Sequence, residues 1–508
     1  MDFNTLLFPC FFAAAALGYY LLPYRLRPYW LLLASYAFYC WKPENRSLAL
    51  LLAGTSLLTW LAGLLLGLLH RPWVRRGLLA LSVLACLGPL FVYKYFDFFA
   101  RSLADAAGIS APPALDLIAP LGLSYFTFQS LGYVIDCYRR KYAPWKNPLH
   151  YALFVSFFPC IFTGPIERAD HLQPQLLGRL PFDYNNLAGG AFRMLWGYCK
   201  KMVLAEHLAV FVQAYYSGSG TVAATGPAQA AAAVLFSLQL YFDFSGSCDI
   251  AIGGARLFGI RLLENFDNPF LATSFSELWR RWHKSLNSWF RDYLYFSLGG
   301  SRCALWRWGL NLMLVFLLSG LWHGAAAGYL WWGLLCGILV LLERLPQRLR
   351  AAARPKAYAA AAGPAEAAPV HTPALPGALR AVFLFMAAWS RRILVFCEFS
   401  FCFILFAASL YGGGSPVLLP YQTLLTGWSM PNILQLGASL EACGFTAPLA
   451  AVVAGGSALV LLIESRGDVA DWIRRRLFCW RWPLYYLLVF ALLFFGVFGQ
   501  SAFIYQLY

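Results

Sequence analysis

Apolar runs long enough to cross a lipid bilayer recur along almost the entire chain, and they limit its possible folds more tightly than any motif does. Crossing about 30 Å of hydrocarbon at about 1.5 Å per residue takes about 20 residues. Residues 3–22, 47–69, 77–99, 187–216, 228–242, 393–411, 446–463 and 484–503 form such runs, and 309–343 is long enough for two. The shorter runs 29–41, 117–135, 149–163 and 285–298 stay open between crossing, lying flat and re-entering. The fold expected is therefore all-α and polytopic, with about ten to thirteen membrane-embedded helices in the chain. Composition agrees, with 60% hydrophobic and only 12% charged residues, about half the charge of a soluble chain. Disorder, fibrous repeats and a soluble multidomain enzyme are excluded for the chain as a whole.

The formal charge of +16 sits on few residues, which punctuate apolar spans rather than forming one basic face. This is the bias of cytoplasmic loops toward Lys and Arg, so the partner expected is the bilayer and not nucleic acid. Eight basic residues fall between Arg344 and Arg392, none between Gly412 and Phe445, and five more between Arg466 and Arg481. Read as in, out, in, this places 501–508 on the outer face; the Arg25/Arg27 and Arg71/Arg75/Arg76 loops lie inside and the amino terminus outside. Lys200 and Lys201 interrupt an apolar span and leave the middle undecided. The organisation expected is a catalytic core at 1–343, a basic Ala- and Pro-rich cytoplasmic linker at 344–392, and carboxyl-terminal membrane helices at 393–508. With no positive residues before its apolar run, the amino terminus reads as a first membrane helix rather than a cleaved signal. Thirteen scattered cysteines with no C-x-x-C pair argue against a disulfide scaffold or a thiolate metal site, and no metal is expected.

Among seven histidines, His323 stands apart. Between Gly309 and Leu342 it is the only ionisable group besides the weakly acidic Cys336 and Tyr329, and an ionisable group at membrane depth is a functional site by default. The structural alternative is a neutral imidazole hydrogen-bonded between helices. Gly320 and Gly324 bracket it in a G-x-x-x-G spacing suited to close helix packing or to close approach of a substrate. A second concentration runs from Ser274 to Tyr293. Ser274 with Glu277 predicts a capping box, and Trp279, His283, Leu286, Phe290 and Tyr293 then share one helical stripe, flanked by Arg280, Lys284, Asn287 and Arg291. Two readings stand: a basic amphipathic helix on the cytoplasmic surface, or a tunnel lining whose mouth attracts an anion. No H-x-x-x-H or H-E-x-x-H spacing, G-x-S-x-G elbow, Walker loop or G-x-G-x-x-G is present, so the histidines point to proton transfer rather than metal binding. A buried neutral imidazole within reach of a hydroxyl is suited to act as general base.

The same residues resemble the membrane-bound O-acyltransferase family, in its bacterial branch of alginate O-acetylation, peptidoglycan O-acetyl export and, more distantly, D-alanyl transfer to teichoic acids. The resemblance is carried by Trp279-Arg280-Arg281-Trp282-His283-Lys284-Ser285-Leu286, Trp289-Phe290-Arg291-Asp292-Tyr293, and Ser319-Gly320-Leu321-Trp322-His323-Gly324. Pro120 to Gln129, Tyr133 to Asp136, Gly164 to Arg168 and Tyr241 to Gly246 extend it over about residues 1–340.

The resemblance implies helices around a central tunnel, with a thioester donor entering from the cytoplasm and the acceptor from the other side. It makes His323 the base that activates the acceptor and His283 the group that orients the thioester. Arg280, Arg281 and Lys284 would meet coenzyme A phosphates or lipid headgroups, with Trp279, Asn287, Trp322 and Gln129 as further donor contacts. Phe503 to Tyr508 resembles a terminal F-x-Y-x-x-F pattern, which makes Tyr505 an acyl relay; the alternative is an interfacial aromatic anchor. Also implied are acetyl-CoA or another acyl thioester as donor substrate, no bound cofactor, a bacterial inner-membrane location, an extracytoplasmic serine-hydrolase-like (SGNH-type) O-acetyltransferase as partner, and a surface polysaccharide or peptidoglycan as final acceptor. Chain length, the added carboxyl-terminal helices and the chain's own tyrosine favour acetyl over D-alanyl. The rival from another class is a transporter or flippase in which His323 relays protons.

Overall fold

The computed structural model describes residues 5, 7–161, 163–353, 377–412 and 418–499. Every regular element among them is helical. Seven helices are long and apolar enough to cross a membrane: Pro43–Leu68, Pro72–Ala107, Leu305–His323, Ala327–Arg350, Val382–Tyr411, Ala447–Glu464 and Phe478–Phe495. The run 309–343 thus divides into two helices at Gly324, which leaves helical geometry for an extended conformation. Leu7–Leu21 is a shorter apolar helix, and the segments 184–216 and 226–256 are also helical but carry buried charges and amides within their apolar sequence.

Those two segments form the centre of the bundle. The Gly226–Arg256 helix is buried along most of its length and packs antiparallel to Tyr184–Tyr198. Glycines set the distance: a Cβ at Gly197 would stand 2.5 Å from the Gly246 carbonyl oxygen, and one at Gly190 would stand 2.6 Å from that of Gly253. Small residues at such a crossing let backbones approach, which drives packing where lipid supplies no hydrophobic force.

Close approach also brings charge together. Arg193 bonds Asp249 at 2.9 Å, Glu264 at 2.6 Å and Asp468 at 3.0 Å, and Lys200 reaches Asp249 at 2.5 Å and Glu464 at 2.6 Å. Lys201 pairs with Asp243. Both lysines belong to a π-helical segment, Cys199–Ala205, and both are buried. Their place in an apolar run is thereby explained: each is neutralised inside the bundle, as buried charges must be. Glu464 and Asp468 come from the carboxyl-terminal part, so the network ties that part to the core.

The helix Gly377–Tyr411 packs on both Ala327–Ala353 and Gly226–Arg256, and its buried face supplies Phe399, Phe403 and Phe406. By contrast, only 6% of the Phe478–Phe495 span is buried, so most of that helix faces lipid.

Candidate active site

The Ser274 cap forms as the sequence predicts, its Oγ accepting from the Glu277 N–H at 3.1 Å. The helix it starts is short. Phe275–Arg281 ends before His283, Lys284–Trp289 begins after it, and a π-helical segment, Phe290–Tyr295, follows. The single stripe expected from Trp279 to Tyr293 is therefore broken at its histidine. His283 has φ of 43°, a left-handed backbone that costs a residue with a Cβ about 1–3 kcal/mol and persists only where the surroundings enforce it. They do so here through two asparagines. The Asn265 carbonyl accepts from Lys284 N–H at 2.9 Å and its Oδ1 accepts from Ser285 N–H at 3.2 Å, while Asn287 Nδ2 donates to the Trp279 and Trp282 carbonyls. Ser285 Oγ in turn accepts from the Ile166 N–H at 3.1 Å, which ties the Gly164 to Arg168 motif to the same turn.

His323 is the last residue of Leu305–His323, and its helix is pressed against Ala327–Ala353 at Gly320, where a Cβ would meet the Tyr329 carbonyl at 2.2 Å. Its imidazole lies in an aromatic box, with ring centroids 5.0 Å from Trp322, 5.1 Å from Trp332 and 5.3 Å from Phe406. The Trp322 ring is also 5.7 Å from His283, which packs against Phe244 at 4.7 Å as well. Two histidines forty residues apart in sequence thus meet on one indole. Burial pushes the His283 imidazole down to about 3, so it is neutral at physiological pH and free of the charge that would repel a cation or bind an anion.

Next to this pair lies a cavity of 690 Å3 lined by Trp279, Arg280, Lys284, Asn287, Arg291 and Arg344, among others. Its four cations face one acid, Glu264. Arg281, expected with them, is not among the lining residues; it pairs with Glu277 at 2.6 Å. Gln129 lies elsewhere, its amide donating to the Phe154 carbonyl in the packing between two helices. Trp279 forms the cavity wall, its ring is 5.8 Å from Trp332, and Trp332 abuts the imidazole, so two indoles stand between cavity and base. Both indole N–H groups are buried and make no hydrogen bond among the described residues, each leaving a donor whose burial costs about 1–3 kcal/mol. Tyr505 lies outside the described residues.

One residue at the site escaped the sequence reading. Lys94 sits in a π-helical segment, Phe91–Tyr95, within the Pro72–Ala107 span, and its Nζ donates to the Trp322 carbonyl at 2.7 Å. The run 77–99 also holds Asp97, so Lys94 lacks the isolation among ionisable groups that sets His323 apart in the sequence.

With this geometry established, the profile of the membrane-bound O-acyltransferase family matches residues 98–367, a stretch that holds both histidines. The chain belongs to that family. O-acyl transfer at a multi-pass membrane protein is the reaction class in which this places it. A probable alginate O-acetylase of Pseudomonas aeruginosa is 37% identical over 349 residues, covering 68% of this chain and 66% of that protein. A peptidoglycan O-acetyltransferase of Helicobacter pylori is 35% identical over 374 residues, 67% of this chain and 70% of its own length. A teichoic acid D-alanyltransferase of Bacillus subtilis is 29% identical over 282 residues, 51% of this chain and 66% of its own. About two thirds of each relative's length is thus represented in the match.

Proposed function

We propose that this chain takes an acetyl group from a cytoplasmic thioester, acetyl-CoA, and passes it across a bacterial inner membrane for O-acetylation of a surface polysaccharide or peptidoglycan. The observation that carries the reading is the meeting of His283 and His323 on Trp322, two indoles away from a cavity lined by four cations. Arg280, Lys284, Arg291 and Arg344 hold the phosphates of the donor. The unpaired N–H groups of Trp279 and Trp332 suit a thioester carbonyl oxygen entering between them. His323 accepts the proton of the acceptor hydroxyl as its oxygen attacks the thioester carbon; the carbon–sulfur bond then breaks and the thiolate leaves, taking up a proton. His283, neutral and fixed by its strained turn, orients the donor. Acetyl is preferred to D-alanyl because the relatives named as acetyl enzymes share more of this sequence.

In this reading the charge pattern places 501–508 on the outer face, where Tyr505 receives the acetyl group and passes it to a separate serine-hydrolase-like (SGNH-type) transferase that acts on the glycan. The 1–343 core, the 344–392 linker and the 393–508 helices then divide into chemistry, cytoplasmic connection and delivery.

Two expected results test the parts separately. Reversing Arg280 and Lys284 together to Glu raises KM for acetyl-CoA about tenfold or more, equivalent to about 1.4 kcal/mol, with kcat nearly unchanged. An unchanged KM rules out this cavity as the donor site. Tyr505→Phe abolishes surface acetylation while the protein remains inserted and cleaves acetyl-CoA; full acetylation in that strain rules out the relay.

A further inference from the structure

We propose that Lys94 is the positioning residue of the His323 site, holding the Trp322 peptide so that the indole stays wedged between the two imidazoles. The inference rests on the O-acyl transfer reading above. Its starting point is a half-buried ammonium in a membrane span with no carboxylate within ion-pair distance among the described residues, whereas the buried Lys200 and Lys201 each have one. What Lys94 meets instead is a helix end. The last carbonyls of Leu305–His323 have no following helical turn to donate to them, because the chain leaves the helix at Gly324, and a cation at a helix carboxyl terminus satisfies both the orphan carbonyl and the dipole. The carbonyl it takes belongs to Trp322, the residue whose ring contacts both histidines.

The Lys94 ammonium also lies 5.8 Å from the Trp322 ring, so one side chain holds both the peptide and the indole. The π-helical turn at Phe91–Tyr95 shifts the register of the surrounding helix at this point, a device that recurs at functional sites. Fixing the peptide fixes the imidazole that follows it. A reacting group displaced by about 1 Å loses about 10²-fold in rate without losing its substrate.

The test uses the full chain in detergent or nanodiscs with radiolabelled acetyl-CoA. Lys94→Met is expected to keep the melting temperature and the KM for acetyl-CoA, and to lower kcat about 10²-fold. Lys94→Arg, which keeps a charged donor for the carbonyl, is expected to recover at least about tenfold of that loss. A Lys94→Met kcat within about threefold of wild type overturns the inference, as does a loss that follows a fall in melting temperature or that Arg does not recover. Failure of the wild-type protein to cleave acetyl-CoA or any other acyl thioester overturns the transfer reading itself, so the two failures are told apart.

Discussion

Replacing His323 by alanine is expected to lower acyl transfer from acetyl-CoA about 10³-fold while the protein remains folded in the membrane. General base catalysis by a positioned imidazole contributes about 10²–10⁴-fold. Removing an ionisable group from membrane depth carries no electrostatic penalty, so the fold is expected to survive, and His323→Gln tests the same point with less loss of volume against Trp332 and Phe406. The assay is the rate of acetyl transfer by purified protein, with melting temperature followed in parallel. Transfer at the wild-type rate in either variant removes His323 from the chemistry.

Arg193→Met is expected to act on stability instead. It leaves Asp249, Glu264 and Asp468 facing one another without their shared cation, and removing one partner of a buried network costs about 3–5 kcal/mol. Glu264 is 44% exposed and keeps some access to water, so the lower end of that range applies. Because Asp468 belongs to the carboxyl-terminal part, the loss is expected to appear as a lower melting temperature together with proteolytic sensitivity in 447–495. Pairing Arg193→Met with Glu264→Gln is expected to restore part of the stability, since Glu264 loses its ion-pair partner with Arg193 whereas Asp249 keeps Lys200. An unaltered melting temperature in Arg193→Met contradicts the structural role of the network.

These outcomes depend on features that were unequally legible in the sequence. His323 was legible because a single ionisable residue in an apolar run violates the composition of its surroundings. Lys94 is less legible, because Asp97 stands three residues beyond it and its run reads as an ordinary spanning helix. The helix break at His283 had no local sign: neither Gly nor Asn occupies the left-handed position, and Asn265, which enforces it, lies eighteen residues upstream. The buried ion pairs join Arg193 to Asp468 across most of the chain, a separation that no local pattern encodes. Gly190 and Gly197 face Gly253 and Gly246 at matching seven-residue spacings, a sign that was present in the sequence and becomes meaningful only once the two helices are known to touch. The cavity assembles side chains from five separate segments, so its four cations, of which Arg344 is the most remote, could not be gathered by reading along the chain.

The most direct measurement is made on proteoliposomes that hold the purified full-length chain, with acetyl-labelled acetyl-CoA supplied on one side only and a hydroxyl acceptor on the other. The account predicts free coenzyme A on the donor side, hydroxylamine-labile acetyl ester reached from the acceptor side, and loss of both in His323→Ala. Label that arrives on the far side still joined to coenzyme A, or ester formed equally well by His323→Ala, contradicts it.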